Sequence, residues 1–169
     1  MGDLNASTMN EARPFNSALE TGLRGLTLLV ECYPSSLDLQ RLLLFDYLLV
    51  HSEDAGGPPS IHPPTPHRSG EILVRRGIVE KGVLLMMSRR LVERHVTPQG
   101  FSYAASEYAA PFLDSLEADY TLRLREYAVW VTITFGPYSD QSLMEYFREN
   151  LDRWGGEFET SHIAGELVQ

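Results

Sequence analysis

The chain has 169 residues, a hydrophobic share of 43% and a formal net charge of −9 at pH 7. That length fits one domain, or a small domain with a helical extension, and the apolar content excludes disorder of the whole chain. No apolar run reaches the roughly 18 residues of a membrane span, and a single cysteine, Cys32, excludes an intrachain disulfide and makes a cytoplasmic location the default.

Met1 to Arg13 has no apolar core, so it reads as a polar tail and not as a signal peptide. Asn16 to Tyr33 reads as the first helix. Leu19, Leu23, Leu26 and Val30 recur at three- and four-residue steps, the period of one helix face, and Pro34 supplies the stop. Gly22 and Gly25 weaken that helix by about 1 kcal/mol each relative to alanine, which points to another backbone packing close. Ser36 or Asp38 is placed to cap the next helix, Leu39 to His51. Its near-continuous apolar character, interrupted by Asp46, predicts burial on most sides.

Glu53 to Pro66 reads as a loop, stiffened by Pro58, Pro59, Pro63, Pro64 and Pro66. Such a length is unusual for a connection in a compact domain and favours a functional contact. His62 and His67 flank its prolines and read as exposed loop histidines. Ser69 is the expected N-cap of a helix from Glu71 to Arg90, with a break into two helices expected near Gly77. Leu91 to Val96 and Phe101 to Ala105 flank the turn Thr97-Pro98-Gln99-Gly100 as a hairpin. Three more helices are expected: Ser106 to Leu116, Asp119 to Phe135, and Ser139 to Trp154 with Ser139 in its cap region. Tyr127, Trp130, Phe135, Tyr146, Phe147 and Trp154 lie on the last two at core spacing.

Charge is uneven along the chain. Between Arg68 and His95 seven basic residues meet three acids, a local balance of +4 that leaves −13 for the rest. The candidates for nucleic-acid or acidic-partner contact are therefore Arg75, Arg76, Lys81, Arg89, Arg90 and Arg94. Helix, buried helix, loop, basic helix and hairpin is the order of a winged helix-turn-helix. The expected class is mainly α with a small β-hairpin: a winged helix-turn-helix over 13–106, a helical extension over 107–155, and tails at 1–12 and 156–169. Arginines suit phosphate contacts, but the overall acidity and the scarcity of Asn and Gln argue against base reading.

Nothing in the sequence carries an enzyme signature. His51, His62, His67, His95 and His162 fall in no metal-binding spacing, Gly56-Gly57 lacks the lysine of a phosphate loop, and Ser69-Gly70 lacks a nucleophile-elbow frame. No catalytic residue, cofactor or metal is expected.

The stretches RPFNSALETGLR (Arg13 to Arg24), SLDLQRLLLFDYLLVHS (Ser36 to Ser52), GGPPSIHPPTPHRSGE (Gly56 to Glu71), LLMMSRRLVER (Leu84 to Arg94) and RWGGEFE (Arg153 to Glu159) resemble the middle-component family of ABC-three-component systems. The resemblance implies a bacterial operon with an ABC or SMC-like ATPase that senses DNA, an effector that is often a nuclease, and a middle component linking them. The small subunit of Lamassu antiphage systems is the nearest named analogue, and accessory winged-helix subunits of SMC complexes look similar. The expected role is a non-catalytic adaptor, with DNA contact indirect or limited to weak backbone contact and no membrane. A dimeric winged-helix transcriptional regulator is the alternative. The first expected partner contact is the loop, through Pro58, Pro59, His62, Pro63, Pro64, His67 and Arg68.

Overall fold

The computed structural model describes residues 17–63 and 68–155. The tails expected at 1–12 and 156–169, together with Pro64, Pro66 and His67, lie outside the described residues. In chain order the elements are α1 (Ala18–Cys32), β1 (Leu37–Asp38), α2 (Leu39–Val50), a 3-10 turn (Ser52–Ala55), α3 (Arg68–Ser88), β2 (Val92–Thr97), β3 (Gly100–Ala105), α4 (Ala109–Asp114), α5 (Asp119–Phe135) and α6 (Asp140–Gly155). The chain is mainly helical with one small antiparallel sheet.

Side-chain oxygens start the helices by taking amides that the first turn leaves unpaired. Ser17 Oγ accepts from Glu20 N at 3.2 Å at the head of α1, Asp38 Oδ1 from Arg41 N at 2.7 Å in α2, and Ser139 Oγ from Ser142 N at 3.1 Å before α6. Asp38 has a second role that the sequence does not announce. With Leu37 it forms β1, which pairs with Tyr103 and Ser102 of β3. The expected hairpin is thus the larger part of a three-stranded sheet in the order β1-β3-β2. The hairpin register runs from Val92 opposite Ala105 to Thr97 opposite Gly100, and Gly100 takes φ 125°, a conformation open to glycine.

Two expectations about α3 are corrected. The helix runs unbroken through Gly77, and it is already helical at Arg68, so Ser69 lies in its first turn. Continuity follows from its inner face. Ile72, Arg75, Val79, Gly82 and Met86 repeat at three- and four-residue steps and are all buried, so packing overrides the low helix propensity of one glycine. The helix expected from Ser106 shrinks to Ala109–Asp114.

The core is one cluster. Leu42 to Leu49 of α2 lie at its centre, α1 and α3 contribute Leu26, Leu28, Leu29, Val79, Val83 and Met86, and α5 and α6 add Leu124, Val131, Phe135, Leu143, Phe147 and Trp154. The helix apolar on all sides is therefore the one enclosed by the others. The close backbone approach expected on α1 occurs at Gly22, which crosses Gly82 of α3. A Cβ on Gly82 would lie 2.6 Å from Gly22 N, and one on Gly22 would lie 2.8 Å from Gly82 O. Gly25 has only an ordinary contact, with Leu42 Cδ2 at 3.8 Å.

Because the obstructing atoms at the crossing are backbone, Gly82→Ala is expected to push α1 and α3 apart. The cost should be about 1–3 kcal/mol, the range for overpacking a tight core, read as a lower urea midpoint at unchanged helical content.

Candidate partner interface

The polar interior comes first, because it decides which charged residues remain for the surface. Asp46 of α2 is buried, and it receives Arg24 of α1 and Arg75 of α3. Arg24 Nε donates to Oδ1 at 2.6 Å, Arg24 Nη2 to Oδ2 at 3.2 Å, and Arg75 Nη1 to Oδ2 at 2.5 Å. All three side chains are at most 3% exposed. Arg75, a candidate for nucleic-acid or acidic-partner contact, is therefore an internal tie between helices, and its burial removes it from any surface contact. Burial alone would raise the Asp46 pKa. The two guanidiniums overcome that and hold it at about 2, below the ordinary 3.8.

The same network reaches the proline loop. His62, expected to be exposed, is 6% exposed, and its ring centroid lies 6.1 Å from that of His51. Its backbone N–H donates to Val50 O at 3.0 Å. Desolvation, then the positive charges of Arg24 and Arg75, lower its pKa from 6.5 to about 4, so His62 is neutral at pH 7. The rest of the loop folds back on the body. Ser52 Oγ donates to Pro58 O at 2.8 Å and Tyr127 Oη of α5 donates to Pro59 O at 2.6 Å. The Trp130 ring covers Gly57 so closely that any side chain there would collide with it. Pro58 is half-buried, while Pro59 and Pro63 are exposed. Pro64, His67 and the side chain of Arg68 lie outside the described residues.

The remaining predicted cations lie on α3, in the turn after it and on β2 of the hairpin. Arg76, Lys81, Arg89, Arg90 and Arg94 are all exposed. Arg76 Nη1 donates to Gln40 Oε1 at 3.2 Å. Arg90 takes φ 60° in the turn from α3 to β2, where its carbonyl accepts from Ser106 Oγ at 2.7 Å. The Arg94 guanidinium lies 4.4 Å from the centre of the Phe101 ring, a cation–π distance. Apolar side chains are interleaved with these charges: Val74 is 67% exposed, Leu84 47%, Val96 82% and Phe101 51%. A surface of this composition suits a partner that is both acidic and apolar better than it suits a bare phosphate backbone.

Residues 14–157 match the family model described as ABC-three component (ABC-3C) system Middle Component 2. The chain belongs to that family. No curated protein and no solved structure matches it. Membership in a three-component system implies partner components, an ABC ATPase and an effector in general terms. Among the described residues of this middle component no helix is long and apolar enough to cross a membrane, and no group of histidines, cysteines and acids is placed to hold a metal ion.

Sequence reasoning placed the exposed cations of the middle component and overlooked Arg24 and Asp46. A signal for the second was present. A carboxylate inside an otherwise apolar helix must find cationic partners, because a buried charge without one is too costly.

The shifted groups predict two acid steps in stability. The unfolded chain protonates His62 from pH 6.5 downward, while the folded chain resists to about 4. Stability is therefore full above pH 6.5 and falls as pH drops from 6.5 to 4. A second loss follows below pH 3.8, as the unfolded Asp46 protonates and the folded one resists to about 2. Urea midpoints measured from pH 7 to pH 3 should show the upper step, and His62→Gln should flatten it. A wild-type midpoint level from pH 7 to pH 4 would contradict the assignment.

Proposed function

We propose that this chain is the non-catalytic adaptor of its three-component system. It joins an SMC- or ABC-type DNA-sensing ATPase to a nuclease-like effector, in the cytoplasm, as part of bacterial antiphage defence. In this reading its role resembles that of the small middle subunit of Lamassu systems. The observation that carries this reading is the family match over residues 14–157, which spans every described element. The interior supports it: the buried charges are engaged with one another and tie helices together, which is a structural use.

The order α1, β1, α2, α3, β2, β3 supports reading the first part as a winged helix-turn-helix, with α3 in the recognition position and β2–β3 as the wing. Many such folds use these surfaces on proteins, so fold alone does not assign DNA binding. Two surfaces are proposed for partners. One is the loop, whose exposed Pro59 and Pro63 are anchored to the core by buried His62; Pro58, Pro64, His67 and Arg68 are proposed with them from the sequence. The other is the basic side of α3 and the wing, through Arg76, Lys81, Arg89, Arg90 and Arg94.

The test is a pull-down from the native host with the chain tagged at its C-terminus, followed by mass spectrometry. An ATPase of the SMC or ABC type and a nuclease-like protein should co-purify in fixed ratio. The double variant Pro59→Asp, Pro63→Asp should weaken capture of one of them by about tenfold, which is about 1.4 kcal/mol, at unchanged circular dichroism.

The basic side also favours a second reading, a dimeric winged-helix transcriptional regulator. That protein would emerge from the pull-down without the two components, bound to a specific DNA fragment. Its affinity would fall steeply with salt, and each lost phosphate contact among the five exposed cations would reduce the log–log salt slope by about 0.9.

A further inference from the structure

The outer face of α3 carries a glycine that no packing among the described residues explains. Gly77 is exposed, mid-helix, and apart from its chain neighbours and the backbone of its own helix no described atom lies within 4 Å of the position a Cβ would take. Glycine there weakens the helix relative to alanine and gains no packing in return. The contrast lies one turn further on, on the opposite side of the same helix. Gly82 has the same propensity cost, and there it lets α3 meet the backbone of α1 at Gly22. The fold thus already uses a glycine of α3 to admit a crossing helix.

The surroundings of Gly77 have the composition of a docking face. Leu73, Gly77, Leu84 and Ser88 align along the outer side of the helix at intervals of whole turns, with Val74 and Lys81 beside them. Leu73 is 40% exposed, Val74 67% and Leu84 47%. Large aliphatic side chains this exposed around a bare backbone form an apolar strip with a central notch. The exposed charges on this part of the chain are mainly positive: Lys81 stands at i+4 from Gly77 and Arg76 next to it in sequence, Arg89 and Arg90 follow the end of the helix, and Glu80 at i+3 is the one exposed acid on this stretch of α3 whose side chain is described. Aliphatic contact excludes a purely phosphate ligand, and no Asn or Gln stands on α3 to read base edges.

We propose that this face seats an acidic amphipathic helix from the ATPase or the effector, crossing α3 at Gly77 as α1 crosses it at Gly82. Apolar residues of that helix cover Leu73, Val74 and Leu84, and its carboxylates meet Arg76 and Lys81. The inference rests on the adaptor reading and gives it a contact surface distinct from the proline loop.

The experiment co-expresses the full chain with the ATPase and effector components of its own system and compares three variants with wild type. Gly77→Ala should raise the Tm of the full chain by about 2–4 °C, the shift for a restored helix propensity in a chain of this size, while weakening capture of one component. Gly77→Trp, whose side chain enters open solvent in the free chain, should keep the circular dichroism spectrum and reduce that capture at least tenfold. Lys81→Glu should reduce it too, with the loss greatest at low salt. Wild-type capture of neither component overturns the adaptor reading and this inference together. Capture of both components that survives Gly77→Trp and Lys81→Glu overturns the inference alone, as does a Gly77→Ala variant that is no more stable than wild type. Retention of duplex DNA lost in these variants, with capture intact, assigns the face to nucleic acid instead.

Discussion

Asp46 is one carboxylate inside an apolar helix, and the arrangement of the first three helices follows from where its charge can be compensated. Two guanidiniums reach it from two different helices, Arg24 from α1 and Arg75 from α3. Ion pairs of this kind seldom add stability over well-packed hydrophobic residues, because desolvation offsets most of the attraction. Their effect is geometric. Leu-rich faces such as those of α2 can slide or rotate against neighbours at little cost, whereas a buried carboxylate has one rotation at which both arginines reach it. The network also carries a net positive charge, and the nearby histidine responds to it: desolvation and the two arginines together keep His62 neutral. The loop is thus joined electrostatically to the core it leaves, as well as through the hydrogen bonds of Ser52 and Tyr127.

The Gly22–Gly82 crossing and the Arg75–Asp46 pair lie on the same inner stripe of α3, two turns apart. One sets how near α1 and α3 approach, and the other sets their rotation about α2. Together they hold α3 so that its other stripe, with Val74, Lys81 and Leu84, faces outward. The hairpin continues directly from the end of that helix through the tight turn at Arg90. A surface presented on a helix fixed at two points is better ordered for recognition than one on a free loop.

Much of this was legible in the residues themselves. Periodic leucines placed α1, capping groups placed the starts of α2 and α6, and Pro-Gln between two strand-like runs placed the hairpin turn. What was not legible depends on pairings between residues far apart in the chain. A two-residue strand such as β1 has no period of its own and exists because β3 lies beside it. Arg75 looks like any arginine on an amphipathic helix, and only the position of Asp46, 29 residues away, turns it inward. His62 looks like a loop histidine because its neighbours are prolines, yet its amide reaches Val50 and its ring packs near His51. At Gly77 local propensity predicted a break, and buried contacts on either side of it held the helix straight through. The basic cluster, by contrast, was visible as composition, and all of its members but Arg75 with a described side chain are on the surface.

The two glycines of α3 separate what the chain does for itself from what it offers to others. Selection for folding alone would retain Gly82, whose replacement forces two backbones apart, and would replace Gly77, where alanine gains helix propensity without meeting any described residue outside its own helix. The same asymmetry holds for charge. Arg24 and Arg75 are consumed in neutralising Asp46, whereas Arg76, Lys81, Arg89, Arg90 and Arg94 stand in solvent beside exposed aliphatic and aromatic groups on a chain whose net charge is −9. Phosphate would meet the cations of such a face and leave its aliphatic and aromatic groups uncovered. Both the unexplained glycine and the mixed composition therefore point the same way, toward a protein surface as the matching partner, and it is this convergence of a backbone argument with an electrostatic one that favours an adaptor over a regulator.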